Sequence, residues 1–445
     1  MKSSPFQVIF LVILGFIGVI AVLIFSGIIP GVGTLSQGDK PGKVTLWGTY
    51  NYQGKINDFI GDFNLDNKDK VTITYEAKAP ETYLADLIEA FARGEGPDMF
   101  FVDQTMLNAL VGKTTDIPFT TVTERVFQDT FTEGSRVFLA NNGIKALPLL
   151  VDPLVMYYNK TMYASAGLAV TSKTWTELLT TLKPLNQIDL KNNLISRTAV
   201  ALGEWRNIRH AKAVLSSLML QAGTPLVSLD STNNYFVTLT NDYGYAQVPA
   251  AAATEFYLSF SNPTNSNYSW NRSLPNDLDA FTAENLATYF GLASDLKMIQ
   301  SKNPHLSLDS IMVPQQNLNR RAVFGNFYGV TIANNSKNKD YALSAALLLT
   351  NAKYMQKLSE VTGMSPVRRD LLAKPATDRY QQTANDSAIV AYSWVDPNQS
   401  RTNILFQAAL ENIQTGQMKT LDAIKSLNDQ LGLLFNKVAL PTVEP

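Results

Sequence analysis

The chain has 445 residues, 45% of them hydrophobic and only 17% charged, with a formal net charge of -1. This balance offers no basic field for nucleic acid, and the length allows roughly two to three domains with sizeable cores. There are no cysteines and only two histidines, His210 and His305. Disulfides, thiolate metal sites, cysteine nucleophiles and multi-histidine metal motifs are therefore excluded.

Phe6 to Ile29 is almost wholly apolar and uncharged. Its length fits a membrane span of about 20 residues better than the roughly 7–15-residue core of a signal peptide. The expectation is an uncleaved transmembrane anchor over 6–29, with Lys2 inside the cell and the rest of the chain on the extracytoplasmic face. A long signal peptide cut near Ser26–Gly33 is the alternative. Residues 30–43 contain Gly31, Gly33, Ser36, Gly38 and Pro41 and read as a flexible tether.

The soluble part opens with a strand at Val44–Trp47, a helix over Lys55–Asn64 and an alternating strand at Val71–Tyr75. Glu81–Arg93 places Leu84, Leu87, Ile88 and Phe91 on one helical face, with Gly94 as its stop. Met99–Val102 then reads as a buried strand, completing an α/β signature. Leu147–Asn159 is apolar but interrupted by Asp152–Pro153, which suggests two strands joined at a crossing point. Thr174 and Glu177 form a capping box. Asn207 is placed to cap a helix over Ile208–Ala222 that Gly223 ends. Further helices are expected over 281–290, 341–350, 354–362, 403–415 and 421–435, with a strand at Val330–Ala333.

Motifs for enzymes and metals are weak. Asp62, Asn64 and Asp66 begin like a calcium loop, but the sixth position is Asn67 and the twelfth Ile73, where Gly and Glu are needed. Ser294 and Lys297 have Ser-x-x-Lys spacing without its companion motifs. No phosphate-binding glycine loop or nucleophile elbow is present. The reading carries no catalytic residue, metal or cofactor.

The order of landmarks resembles the family 1 extracellular solute-binding proteins, the group that contains maltose-binding protein. The residues that carry the likeness are VTLWGTYN at 44–51, GPDMFFVD at 96–103, ALPLLVDPLVMYYNKTMYASAGL at 146–168 and TWTEL at 174–178. LMLQAGT at 218–224, WNRSLPNDLDAFTAENLATYFG at 270–291, GNFYGVTIANNSKNKDYALSAALLLTN at 325–351 and GMSPVRRD at 363–370 follow in order. The chain departs from the family in lacking a lipobox cysteine. It also has Ala283-Glu-Asn-Leu where relatives often carry Gly-Lys.

The resemblance implies a two-lobed α/β, periplasmic-binding-protein-like fold with hinge crossings near Asp152, Leu274–Asp277 and Val330. Lobe one is expected to comprise 44–151 with 277–330, and lobe two 152–276 with 331–445. It also implies a protein that closes on a small ligand, most simply a carbohydrate, and passes it to the membrane permease of an ABC-type importer. Competing readings are a membrane-anchored glycoside-processing enzyme using Asp103 and Glu204, a receptor for a peptide or other polar solute, and a surface adhesin or sensor.

Open α/β sheets bind ligands at the carboxyl ends of their strands. A sugar needs aromatic platforms beside amides and carboxylates. Trp47 with Asn51, Asp103 with Gln104, and Trp205 with Asn207 pair these residue types at expected strand or helix ends. Trp270, Tyr289, Phe290, Phe327, Tyr328 and Trp394 are further candidates, from segments that face the cleft in relatives. Each aromatic has packing as its alternative, Asp103 could instead cap a helix starting at Gln104, and Asp152 could simply fix a hinge turn.

Overall fold

The structure is a computed structural model that describes residues 41–50, 54–168, 172–189 and 194–436. The expected span over 6–29, most of the tether and Asn51 lie outside these residues. No helix among the described residues is long and apolar enough to cross a membrane.

Alternation builds the first lobe. In β1 (Gly42–Gly48) Val44 and Leu46 point into the core while Thr45 and Trp47 take the other face, the period-2 pattern of a strand. Helix α1 (Lys55–Asp66) buries Ile56, Phe59, Ile60 and Phe63. β2 (Val71–Ala77) pairs with β1 in parallel. Helix α2 (Tyr83–Arg93) ends on Gly94 at φ 73°, a left-handed cap that glycine adopts without a Cβ penalty. β3 (Met99–Asp103) completes the parallel start.

β4 (Leu147–Asn159) is one continuous strand of 13 residues, buried throughout. The expected break at Asp152–Pro153 does not occur. Pro153 keeps its place in the ladder opposite Gly325 in an antiparallel register, and the strand continues through it. Helix α3 (Trp175–Leu185) starts with the expected Thr174–Glu177 capping box. It is followed by β5 (Gln187–Asp189), β6 (Leu194–Val200) and α4 (Ala211–Ala222).

The segment expected as a helix over 281–290 divides differently. A short helix covers Asp277–Thr282, Glu284 turns at φ 61°, and β7 (Leu286–Leu292) follows as a buried strand. A non-glycine residue rarely holds that backbone region. Here Asn159 Nδ2 donates to Glu284 Oε2 at 3.1 Å, and β7 completes its ladder against β4. Pairing with a neighbouring strand overrode the helical pattern.

Later elements that position the site include β8 (Leu308–Met312), β9 (Val323–Ala333), α5 (Lys339–Leu349), α6 (Ala352–Thr362), α7 (Gln399–Gln414) and α8 (Thr420–Asn436). The main sheet runs β2-β1-β3-β9-β4-β7-β6-β5, with β8 also on β4. β4 and β9 are the shared strands. The first part of β4, from Leu147 to Pro153, pairs with β9, and Leu154–Asn159 pairs with β7 and β8. Asp152 pairs with Asn326 near this changeover.

This pairing redraws the expected lobe boundaries. β7 and β8, inside 277–330, sit with the second half of β4 rather than with lobe one. Helix α5 packs on β1, β2 and β9, and α6 on α1, so they sit with lobe one rather than lobe two. Val330 pairs with Phe101 and Leu147, inside lobe one. Leu274 and Asp277 are bonded to Asn207, inside lobe two.

Candidate functional site

The strand ends of lobe one carry an aromatic wall. Trp47 is half-buried near the end of β1, with Lys78 Nζ 3.6 Å from its ring centroid. Such cation–π contact orients both groups. The Tyr83 hydroxyl reaches the carbonyls of Trp47 and Phe101 at 3.0 and 2.8 Å, tying β1 to β3. Tyr50 packs on Phe101 at 5.1 Å and edge-on to Tyr328 at 6.3 Å. Gly48 is required in this wall, since a Cβ there would stand 2.5 Å from the Phe101 ring.

Asp103 closes β3. Its Oδ1 accepts from Thr105 N at 2.7 Å and from Thr105 Oγ1 at 2.5 Å, an Asx turn rather than a helix cap. Burial pushes its carboxyl above the usual range and the nearby Asp396 charge adds to this, against the Thr105 hydrogen bonds. Gln104 is 1% exposed. Its Oε1 accepts from Phe327 N at 2.9 Å and its Nε2 donates to Asn326 Oδ1 at 2.8 Å, so this amide holds β9 in place. Asp152 does similar work. It accepts from Ser294 N at 3.0 Å and Ser294 Oγ at 2.6 Å, and burial raises its carboxyl to about 6.

Lobe two supplies a second strip. Trp205 is half-buried and stacks on Phe406 of α7, with centroids 6.1 Å apart and planes 10° from parallel. Beside it Glu204, pushed upward by burial, lies 3.6 Å from Arg272. Arg206 makes two bonds to Glu411, at 2.7 and 3.1 Å, the paired geometry that guanidinium favours. Phe406 also meets Trp394 at 6.2 Å, and Lys212 Nζ lies 5.8 Å from the Trp394 ring. Lys212 donates to Asp396 at 2.7 Å. Burial lowers the lysine's proton affinity and Asp396 opposes the shift. Asp396 in turn acts on Asp103. Trp205, Phe406, Trp394, Lys212 and Asp396 thus form one contiguous strip.

The other sequence candidates serve the fold in this conformation. Trp270 is 0% exposed, and its Nε1 donates to Asn207 Oδ1 at 3.2 Å. Asn207 Nδ2 donates to the carbonyls of Asn271 and Leu274 at 2.9 and 3.0 Å. Asn207 therefore braces the 271–277 loop instead of capping α4, which begins after His210. Tyr289 is buried with its hydroxyl on Asp295 at 2.9 Å. Phe290 packs on Trp175 at 5.6 Å, and Phe327 is fully buried. Within the strip itself Trp394 is also part of the core, 3% exposed, with Nε1 donating to Ser216 Oγ at 3.2 Å.

Sequence reasoning missed Phe406, Lys212, Asp396 and Arg272. Phe406 and Lys212 lie inside helical patterns, where the apolar period marks burial without marking neighbours. Among the described residues no group of three or more acidic or histidine side chains is placed to hold a metal ion. Phe406 and Trp394 are buried, so what the strip offers chemically is the half-buried Trp205 ring flanked by charged hydrogen-bonding groups.

The sequence pattern of the family described as bacterial extracellular solute-binding protein matches residues 58–385. The chain belongs to this family. No curated protein matches the sequence. Several solved structures share the fold of this solute-binding protein. The cyclic α-maltosyl-1,6-maltose binding protein from Arthrobacter globiformis superposes with a TM-score of 0.72 at 15% identity, covering 89% of this chain and 100% of that one. The sugar-binding protein MalE from Xanthomonas citri gives 0.70 at 18% identity over 89% and 98%. UgpB from Mycobacterium tuberculosis, solved with glycerophosphocholine, gives 0.67 at 16% over 91% and 100%. The solute-binding fold thus has the two-lobed α/β form that the sequence landmarks imply.

Proposed function

We propose that this solute-binding protein captures a carbohydrate between its lobes and delivers it to the permease of an ABC-type importer, held at the membrane by residues 6–29. The observation that carries the reading is the near-parallel Trp205–Phe406 stack beside the Glu204–Arg272 and Arg206–Glu411 pairs. A sugar has apolar C–H faces and a rim of hydroxyls. It matches a half-covered indole face flanked by charged hydrogen-bonding groups. In this reading Trp47, Tyr50 and Tyr328 supply the opposing wall, and Asn51, which follows Tyr50 in the sequence, is a further candidate contact. The two shared strands let the lobes bend at Asp152–Asn326, and a ligand touching both lobes favours the closed state by its differential affinity.

A polar solute other than a sugar is the second reading. It is favoured by the glycerophosphocholine bound in the UgpB structure and by the many ion pairs around Trp205. Titration calorimetry of the full chain with maltotetraose and with glycerophosphocholine separates the two. Saturable heat with the oligosaccharide supports the main reading, and heat with glycerophosphocholine alone replaces it. Products appearing during a long incubation would turn the protein into an enzyme.

A further inference from the structure

The start of β1 and the two turns beside it make a lysine-rich end of lobe one, opposite the strand ends that carry Trp47 and Asp103. β1 begins at Gly42, whose N–H donates to the Lys70 carbonyl at 3.0 Å. The turn that holds Lys70 is fixed by Asn67, which is buried. Asn67 Nδ2 donates to the Phe63 carbonyl at 2.8 Å and to Tyr354 Oη at 2.7 Å. Its backbone carbonyl accepts from Lys70 N and Val71 N at 2.9 and 3.0 Å. The second turn, after β9, is tied to β1 by Asp98. Asp98 Oδ2 accepts from Thr45 N and Thr45 Oγ1 at 2.9 and 3.1 Å. Asp98 Oδ1 accepts from Ser336 Oγ and Asn338 Nδ2 at 2.7 and 3.1 Å.

Lys43, Lys68, Lys70, Lys337 and Lys339 are exposed at this end. None of the five makes an ion pair with a described residue, and Lys339 donates to Asn334 Oδ1 at 3.3 Å. Lys353 and Lys357 of α6 differ, being paired with Asp66 and Asp62 of α1 at 2.5 and 2.6 Å. The acids at this end are the exposed Asp69 and Asp340 and the hydrogen-bonded Asp98. Five lysines against three carboxylates leave a local positive excess in a chain whose formal charge is -1. Beside them Leu65, in the last turn of α1, is 71% exposed. Twelve residues, 30–41, separate the apolar segment ending at Ile29 from β1. Even fully extended they reach at most about 40 Å.

We propose that this end of lobe one is a docking surface for anionic phospholipid headgroups, on which the tethered domain rests with the Trp47 and Asp103 strand ends turned outward. The inference rests on the reading of residues 6–29 as the membrane anchor, which keeps the start of β1 beside the bilayer. Ammonium groups not committed to carboxylates within the protein are available to lipid phosphates. Their attraction acts over the screening length, about 10 Å at 0.1 M salt. A lipid surface also accepts an apolar side chain set among cations, as Leu65 is here. β1 and β3 run from this end toward Trp47 and Asp103, so docking leaves those residues open to the medium.

The test places the full chain in nanodiscs of phosphatidylcholine, alone or mixed with phosphatidylglycerol. A water-soluble amine-acylating reagent is the probe, and mass spectrometry reads each lysine. Lys43, Lys68, Lys70 and Lys337 should react several-fold more slowly on the anionic discs, while the exposed Lys173 of lobe two reacts alike on both. Salt at about 1 M, where the screening length falls to about 3 Å, should remove the difference. In a Lys68→Glu/Lys70→Glu variant, Lys43 and Lys337 should react alike on the two lipids. Equal rates in the parent would overturn the proposal, and so would protection that survives the salt or the charge reversal. A chain that enters discs of neither composition removes the anchor and the docking surface together. One that enters both and reacts alike removes the docking surface alone.

Discussion

Trp205 and Trp270 belong to the same half of the molecule and are used in opposite ways. Trp270 is enclosed, and its indole N–H is satisfied by Asn207, which also ties down the 271–277 loop. Trp205, two residues before Asn207 in the chain, keeps part of its ring accessible and rests on Phe406, which comes from a helix about 200 residues later. An aromatic whose polar atom is bonded inside its own lobe is spent on the fold. One that is braced from behind and open in front is available to a partner.

The harshest trial of this contrast is truncation. Trp270→Ala should lower stability by about 3–5 kcal/mol, the range for emptying a large buried aromatic, read as a shift in the urea midpoint. Trp205→Ala should leave the midpoint close to the parent. On the proposed function it should weaken oligosaccharide binding by about 1–3 kcal/mol in calorimetry. If the two variants exchange these behaviours, the assignment of strip and core is reversed.

A second trial concerns the carboxylates. Burial holds Asp152 near 6, above the value of about 3.9 for an exposed aspartate. Between these values the native chain keeps a proton that the unfolded chain has lost. This group therefore adds stability as pH falls from about 7 to about 4 and removes it as pH rises through about 6. The size is on the order of 2–3 kcal/mol. Asp277 carries the same sign, also near 6 through burial. Asp152→Asn should flatten the difference in unfolding free energy between about pH 5 and about pH 7.5. An unchanged difference would place the titration elsewhere.

Gln104→Ala should cost about 1–3 kcal/mol, because it leaves the Phe327 N–H and the Asn326 side-chain oxygen without their buried partner. Denaturation of the variant measures it. The smallest effect is expected from Arg206→Ala. The arginine side chain is 62% exposed, and such surface pairs contribute little. The melting temperature should not move. A clear drop would show that the pair with Glu411 positions α7 and, through it, Phe406.

Much of the fold was legible because local signals and tertiary structure agreed. The Val44, Val71 and Met99 strands, the capping box at Thr174 and the left-handed glycines 94 and 223 all follow local chemistry. The failures come where a distant partner decided. Leu286–Leu292 is a strand because β4 lies beside it. The lobe boundaries moved because β7 and β8 return to β4 while α5 returns to β1 and β2. For the candidate site, the pattern identified Trp205 and Asp103 as residues of the right type near element ends. It could not show that Phe406, Lys212 and Asp396 would join them, nor that Gln104, Asn207 and Trp270 would be occupied by backbone and side-chain partners within the fold.

The shared strand also sets a timetable. β9 must insert between β3 and β4 to complete the first lobe's sheet, yet β4 ends at residue 159 and β9 is complete only at residue 333, 174 residues later. At synthesis rates of about 5–20 residues per second, the ribosome needs roughly 10–35 s to bridge that gap. Throughout this interval the amino-terminal third has two sheet edges and no strand to join them. Non-local pairings of this kind form late and slowly. A nascent chain of this topology stays threadable until most of it has been made, which is the state that a translocation pore accepts.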